Sequence, residues 1–511
     1  MKRLAAVVVV LALVLGAAAI AALATLGGSD TPSAVQGQPE PGSTKPPSAG
    51  LARYYSQTLS WSPCRDGARC STLTVPLDYH HPAGDTIQLA VLEVPAADPA
   101  GRIGSLVVNP GGPGAPGTDY AADATTVFRQ PILDAYDIVG FDPRGTGGSD
   151  PVDCLTDDQL DQYVAEDPDP DTAAETAQYL HWVDAFGRGC PDRSGPLAAH
   201  VTTVEAARDI DVLRAALGQS RLDYFGASYG TKLGATYADL FPKRVGRMVL
   251  DGAVDLSISS RELSLEQAAG FETALRAYVS HCVDQGGCYL GDTLEAGLAR
   301  IKGFLAQVDA APLPTDSDRE LQVGNAFYGV VLPLYNRSYW QYLDQALQAG
   351  LDGDGTLLLR FSDIYNSRGP DGYTDNGTEA LYAINCLDDP YAIPASQVPA
   401  NIPDFEKASP TFGTVFAWGL TTCGGMQVRA TERDRHVDAK GAAPIVVVGT
   451  TRDPATPYEW AVHLADQLDS GVLVTRDGDG HTGYNSGNEC VDTAVEDYLV
   501  DGTVPEDGLS C

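Results

Sequence analysis

The chain has 511 residues, 44% of them hydrophobic, enough for a large core plus an insertion or a second layer. It is strongly acidic, with 33 Lys and Arg against 68 Asp and Glu, a formal charge of −35 at pH 7. Such a surface repels nucleic acid and anionic lipid, and no basic patch with interleaved aromatics offsets it, so nucleic acid is not an expected partner.

Lys2 and Arg3 precede an uncharged apolar run from Leu4 to Leu26, with Ala22-Leu23-Ala24 as a cleavage-like site. This pattern predicts a secretory signal peptide at 1–26 and an extracellular protein. The run is also long enough to span a bilayer, so the alternative is an uncleaved anchor, with residues 4–26 tethering the protein at the cell surface. Residues 27–50 are rich in Pro, Gly and Ser and predict a flexible linker. Ten cysteines follow, an even number that in an exported chain reads as disulfides. Local pairing would join 64–70, 154–190, 282–288, 386–423 and 490–511. No CxxC or histidine cluster suggests a metal, and none is expected.

Strands are expected at 70–79, 86–94, 105–110 and 136–141, with a helical crossover between the last two. Both of the latter strands run into glycine-rich turns, GGPGAPG at 111–117 and the end of DPRGTGGS at 142–149. Residues 151–190 are acidic and partly helical. Thr202 and Glu205 fit a capping box opening a helix with apolar residues at Ala206, Ile210, Leu213 and Leu217. A strand follows at LDYF (222–225), then the turn GASYG and a helix from Thr231, then a strand at 247–252. This alternation predicts a mostly parallel sheet with helices on both faces and the loop sites at the carboxyl ends of its strands.

After residue 255 the rhythm becomes helical, with Phe327, Tyr328, Tyr335, Tyr339, Trp340 and Tyr342 read as insertion core and partly as cleft lining. Strands return at 444–450 and 471–476. The expected organisation is therefore a core in two parts, 51–254 and 436–511, interrupted by a mostly helical cap insertion at 255–435.

A Gly-x-Ser-x-Gly turn between a strand and a helix presents its serine at the top of the sheet, which makes Ser228 the candidate nucleophile. Gly226 and Gly230 give the turn the close approach it needs. A serine needs a base, and the base needs an orienting carboxylate. His481 sits in a glycine-flanked loop after the last strand, whereas His463 falls in a predicted helix. Asp453 follows the preceding strand, so Ser228, Asp453 and His481 stand in the chain order of an α/β-hydrolase. Asp477 and Asp479 are rival orienters, close to His481 in sequence. An oxyanion needs two N–H donors. Tyr229 supplies one. Pro113 has no N–H, which leaves Gly111, Gly112 or Gly114 for the other, with Gly112 preferred.

On the motifs NPGGPG, DPRGTGGS, GASYGTKLGATYADLFP, VLDGAVD, GTRDPATP and GHTGY, residues 60–511 resemble the secreted tripeptidyl aminopeptidases of actinobacteria, serine α/β-hydrolases related to proline iminopeptidase. The resemblance implies an α/β-hydrolase fold, no cofactor, and release of short peptides, tripeptides in that family, from free amino termini of peptides and proteins. Asn109 stands where proline iminopeptidases usually carry His, which argues against strict iminopeptidase activity. Mycobacterial carboxylesterase-like proteases share the layout, so a carboxylesterase with the same triad is the alternative. It would have an apolar cleft without paired carboxylates. An exopeptidase instead needs acids to meet the substrate ammonium. Asp388 and Asp389 are the preferred candidates, with Glu262, Glu266 and Glu272 also available.

Overall fold

The computed structural model describes residues 40–65, 67–430, 432 and 437–511. The signal or anchor segment and the linker up to residue 39 lie outside them. The end of the linker is not free: Glu40 N–H donates to Gly218 O, and the carbonyls of Ser43 and Lys45 accept from Arg214 and Arg244.

One ten-stranded sheet organises the chain. Its strands are β1 (Ser62–Arg65), β2 (Ala68–Pro76), β3 (Thr86–Val94), β4 (Gly104–Asn109), β5 (Tyr136–Phe141), β6 (Leu222–Ala227), β7 (Val245–Asp251), β10 (Ile445–Arg452), β11 (Gly471–Asp479) and β12 (Leu509–Ser510). A separate hairpin is formed by β8 (Arg368–Gly369) and β9 (Gly372–Tyr373). The order across the sheet is β1-β2-β3-β5-β4-β6-β7-β10-β11-β12. The first three pairings are antiparallel and the remaining six parallel. In β4 and β5 every residue is buried, which is why these strands read as continuous apolar runs: helices cover both faces. The architecture is an α/β-hydrolase fold with a mixed, mostly parallel sheet and a large helical cap. The register brings the ends of β4, β6, β7, β10 and β11 to one edge, where the candidate site lies.

The DPRGTGGS stretch is structural. Arg144 is buried and makes two bonds to Asp209, at 2.7 and 2.8 Å, as well as bonds to the carbonyls of Pro76, Leu77 and His200. The Asp142 carboxylate accepts the N–H groups of Thr118 and Gly148. Of the expected capping box, Thr202 accepts from Glu205 N–H, and the Glu205 carboxylate accepts the Thr202 hydroxyl, not its main-chain N–H, while also pairing with His200 and Arg144.

The cap between β7 and β10 is mostly helical, with the β8–β9 hairpin; its longest helix is Ser260–Asp284, and its own core includes Phe271, Leu275, Trp340, Leu343 and Leu358. The helices Asp157–Ala165 and Ala173–Ser194 pack into the main core through Leu160, Val164, Phe186 and Cys190 and also meet cap segments. Gly187 lies directly against Gly425, and Glu379 accepts the N–H groups of Cys154 and Leu155. All five expected cysteine pairs are formed. Among the described residues no helix is long and apolar enough to cross a membrane. The expected membrane tether at residues 4–26 lies outside the described chain and finds no support among the described residues.

Candidate active site

Ser228 is the single residue between β6 and the helix Tyr229–Leu240, with φ 56° and ψ −126°. That conformation is strained for a residue with a Cβ and persists because the surroundings hold it. Its N–H donates to Asp251 O at 2.9 Å, and its carbonyl accepts the N–H and hydroxyl of Thr231. The flanking glycines are needed for space: a Cβ on Gly226 would lie 2.4 Å from Gly230 O, and one on Gly230 would lie 2.8 Å from Asn109 O.

Two residues beyond β11, His481 turns its Nδ1 to both carboxylate oxygens of Asp453, each at 2.9 Å, and to Thr456 Oγ1 at 3.2 Å. Asp453 is buried and also accepts the N–H groups of Ala455, Thr456 and Thr482. The imidazole is thus oriented with its other nitrogen, Nε2, left over; that atom is buried and has no hydrogen-bond partner among the described residues. Burial alone would lower the His481 pKa. The charge and hydrogen bond of Asp453, helped by Asp251, outweigh it and hold the pKa above the ordinary histidine value. Asp477 and Asp479, the rival orienters, are engaged elsewhere: both pair with Arg452, Asp477 also accepts from Thr451, and Asp479 also pairs with Arg337.

Gly111, at φ 102°, would place a Cβ 2.7 Å from that of Ser228, so the turn after β4 packs directly on the serine. Gly111 N–H is already donated to Asn109 Oδ1 at 3.0 Å. Gly112 and Tyr229 line the same cavity as Ser228.

That cavity has a volume of about 450 Å³ and lies between sheet edge and cap. Its wall is rich in aromatic residues, including Tyr163, Trp182, Tyr328, Tyr335, Tyr382 and Phe416. Phe327 completes the trio from the predicted aromatic stretch, whereas Trp340 and Tyr342 pack within the cap core. Neither Asp388 nor Asp389 reaches the cavity wall, which corrects the expected amine-binding pair. Asp388 is buried against Thr203 and the Lys232 ammonium, the latter at 2.8 Å, and Asp389 accepts from the Ser260 hydroxyl. Glu262 caps its own helix, Glu266 accepts the Trp460 indole N–H, and Glu272 accepts from Ser409 and Thr411. The carboxylate that does line the cavity is Glu166, just past the helix Asp157–Ala165. Burial raises its pKa above the usual value. Sequence reasoning missed it because nothing marks Glu166 apart from the other acids of the acidic stretch at 151–190.

The TAP-like protein family matches residues 409–511, the part that carries Asp453 and His481. Serine protease Hip1 of Mycobacterium tuberculosis is 37% identical over 485 residues, 89% of this chain and 91% of that protein. Carboxylesterase B of the same organism is 36% identical, covering 93% of this chain and 94% of its own. The tripeptidyl aminopeptidase of Streptomyces lividans is 30% identical, covering 90% and 88%. With the sheet order, the strained serine turn and the Asp453–His481 pair, these relatives show that the chain belongs to the TAP-like family of α/β-hydrolases, serine hydrolases acting on ester or peptide bonds.

Proposed function

We propose that Ser228 is the nucleophile, His481 the base and Asp453 its orienting carboxylate, and that the bond cleaved is a carboxylic ester. His481 Nε2 takes the Ser228 hydroxyl proton as Oγ attacks the carbonyl carbon. Asp453 stabilises the imidazolium that forms. The oxyanion is received by the N–H groups of Tyr229 and Gly112, since Gly111 N–H is occupied and Pro113 has none. The proton passes from Nε2 to the departing alkoxide. A water molecule, deprotonated by the same nitrogen, then frees the acid and restores Ser228.

The observation that carries the ester reading is the cavity wall: rich in aromatic and apolar residues, with Lys232, Gln267 and Asn385 among its polar groups and a single carboxylate, Glu166, in place of a pair. An apolar acyl chain fits that wall, and an ammonium meets one carboxylate in it. That partner favours a second reading. The Glu166 carboxylate in the wall could meet a free α-amine and make the enzyme an aminopeptidase. The deciding experiment offers the purified protein a series of p-nitrophenyl acyl esters, and one peptide in free and amino-acetylated form, with products read by mass spectrometry. Ester turnover with neither peptide cleaved supports the first reading. Release of short peptides from the free form alone, lost in Glu166→Gln, replaces it with the second. The five disulfides suit an oxidising compartment and support an exported protein.

A further inference from the structure

Asp251 ends β7, between the serine strand and the strand that leads to Asp453. It pairs in register with Ala227 on one side and Val448 on the other. Its main-chain carbonyl accepts the N–H of Ser228 at 2.9 Å. Its carboxylate accepts two N–H groups from the turn after His481: Gly483 on Oδ1 at 2.7 Å and Tyr484 on Oδ2 at 2.9 Å. One residue therefore holds the serine through its backbone and the histidine turn through its side chain. The next residue, Gly252, tightens the same contact, for a Cβ there would lie 3.2 Å from His481 Cε1 and from Thr456 Oγ1.

Asp251 is 1% exposed, and among the described residues no Lys or Arg forms a salt bridge with it. Burying a carboxylate on backbone N–H groups alone is costly. Burial pushes its pKa up to about 6. An asparagine would fit the space but would turn an NH₂ toward one of the two N–H donors. An apolar residue would leave both donors unpaired. The charged groups around Asp251 are His481 and Asp453 in the two loops and Arg476 on β11, with the Tyr120 phenol below them. It does not bond the imidazole, whose Nδ1 is taken by Asp453 and Thr456.

We propose that Asp251 is a second carboxylate of the active centre, a positioning residue that sets the placement of His481 relative to Ser228 by clamping the nucleophile turn and the histidine turn together. The proposal rests on Ser228 and His481 being nucleophile and base. It assigns Asp251 no contact with substrate.

The test is Asp251→Asn beside Ser228→Ala, both in the full mature protein, assayed with a p-nitrophenyl acyl ester from pH 5 to 9. Asp251→Asn should lower kcat by about 10–100-fold with KM changed less than about twofold, since a base displaced by a fraction of an ångström loses alignment and not substrate binding. The acid limb of its profile should move to lower pH, because a negative charge near His481 is gone and the imidazolium loses support. Asp251→Glu keeps the charge but not the reach, so it should lose kcat with its acid limb unmoved. A folded Asp251→Asn with kcat within about twofold of wild type and an unshifted limb overturns the inference. Full activity in Ser228→Ala would instead overturn the triad. If the Asp251 variants do not fold, hydrogen exchange in the wild-type protein decides. Residues 480–486 should exchange as slowly as β10, and exchange at the rate of exposed loops overturns the clamp.

Discussion

The side-chain oxygen of Asn109 accepts the main-chain N–H of Gly111, which removes one glycine donor from the turn beside Ser228 and stiffens what remains. Asn109 is fully buried, at the end of β4. Asn109→Ala should therefore leave the fold intact and lower kcat by about tenfold, short of the 10²–10³-fold typical of deleting an oxyanion donor. Gly111→Ala should be far worse, since its Cβ would lie 2.6 Å from Ala227 O. Steady-state kinetics on the two variants, with circular dichroism as the folding control, checks the order.

The pH dependence follows from the sign of the His481 shift. In the proposed mechanism the active form is the neutral imidazole, and Asp453 with Asp251 favours the charged one. Activity should thus fall as pH drops through a value above the ordinary histidine pKa of about 6.5. Asp453→Asn removes the orienter and should lower kcat by roughly 10⁴-fold. A pH–rate profile of kcat/KM with half its maximum below pH 6 would contradict the charge arrangement described.

Glu379 links the cap to the Cys154 loop, and both N–H groups it accepts land on one oxygen, Oε1. Burial raises its carboxyl to about 7. The folded state therefore holds this proton more tightly than the unfolded chain. The associated stability is fully present below about pH 4.5 and is lost as pH rises to about 7. Glu379→Gln can keep both bonds without a charge. It should be more stable than wild type by ~1–2 kcal/mol at pH 8 and no different at pH 4. Thermal denaturation at the two pH values checks this.

Cys386 and Cys423 join two cap segments separated by 37 residues, and both line the cavity. Replacing the pair by serine should destabilise the protein by about 2–4 kcal/mol. KM for acyl esters should also rise, as the wall they hold loosens. Differential scanning calorimetry and KM on the double variant test the two effects.

The serine turn could be read from sequence because strand, glycine turn and helix are contiguous, and Asp453 and His481 because each closes a strand. His481 lies nearer its strand than expected, since β11 continues to Asp479, which pairs with Arg452 past a shift in the register of the two strands. The rest depends on partners distant in the chain. Asp388 and Asp389 showed their charge in sequence but not Thr203, Lys232 and Ser260, which take it up. Glu166 follows an amphipathic helix, and amphipathicity states that a face is buried without stating against which layer. Asp251 read as the end of a strand, because its two acceptor bonds go to a turn more than 200 residues later.

Tyr335 belongs to the cap, yet its carbonyl accepts the N–H of His481 at 2.8 Å and its ring meets the imidazole edge-on at 5.4 Å. A cap held this way is no detachable lid. Trimming the chain to its sheet would take both contacts from His481, and cap segments exchanged between relatives to alter specificity would have to carry this stretch with them. Whatever substrate presses on the cavity wall at Tyr335 also presses on the imidazole, so fit in the cavity and alignment of the base are one mechanical property.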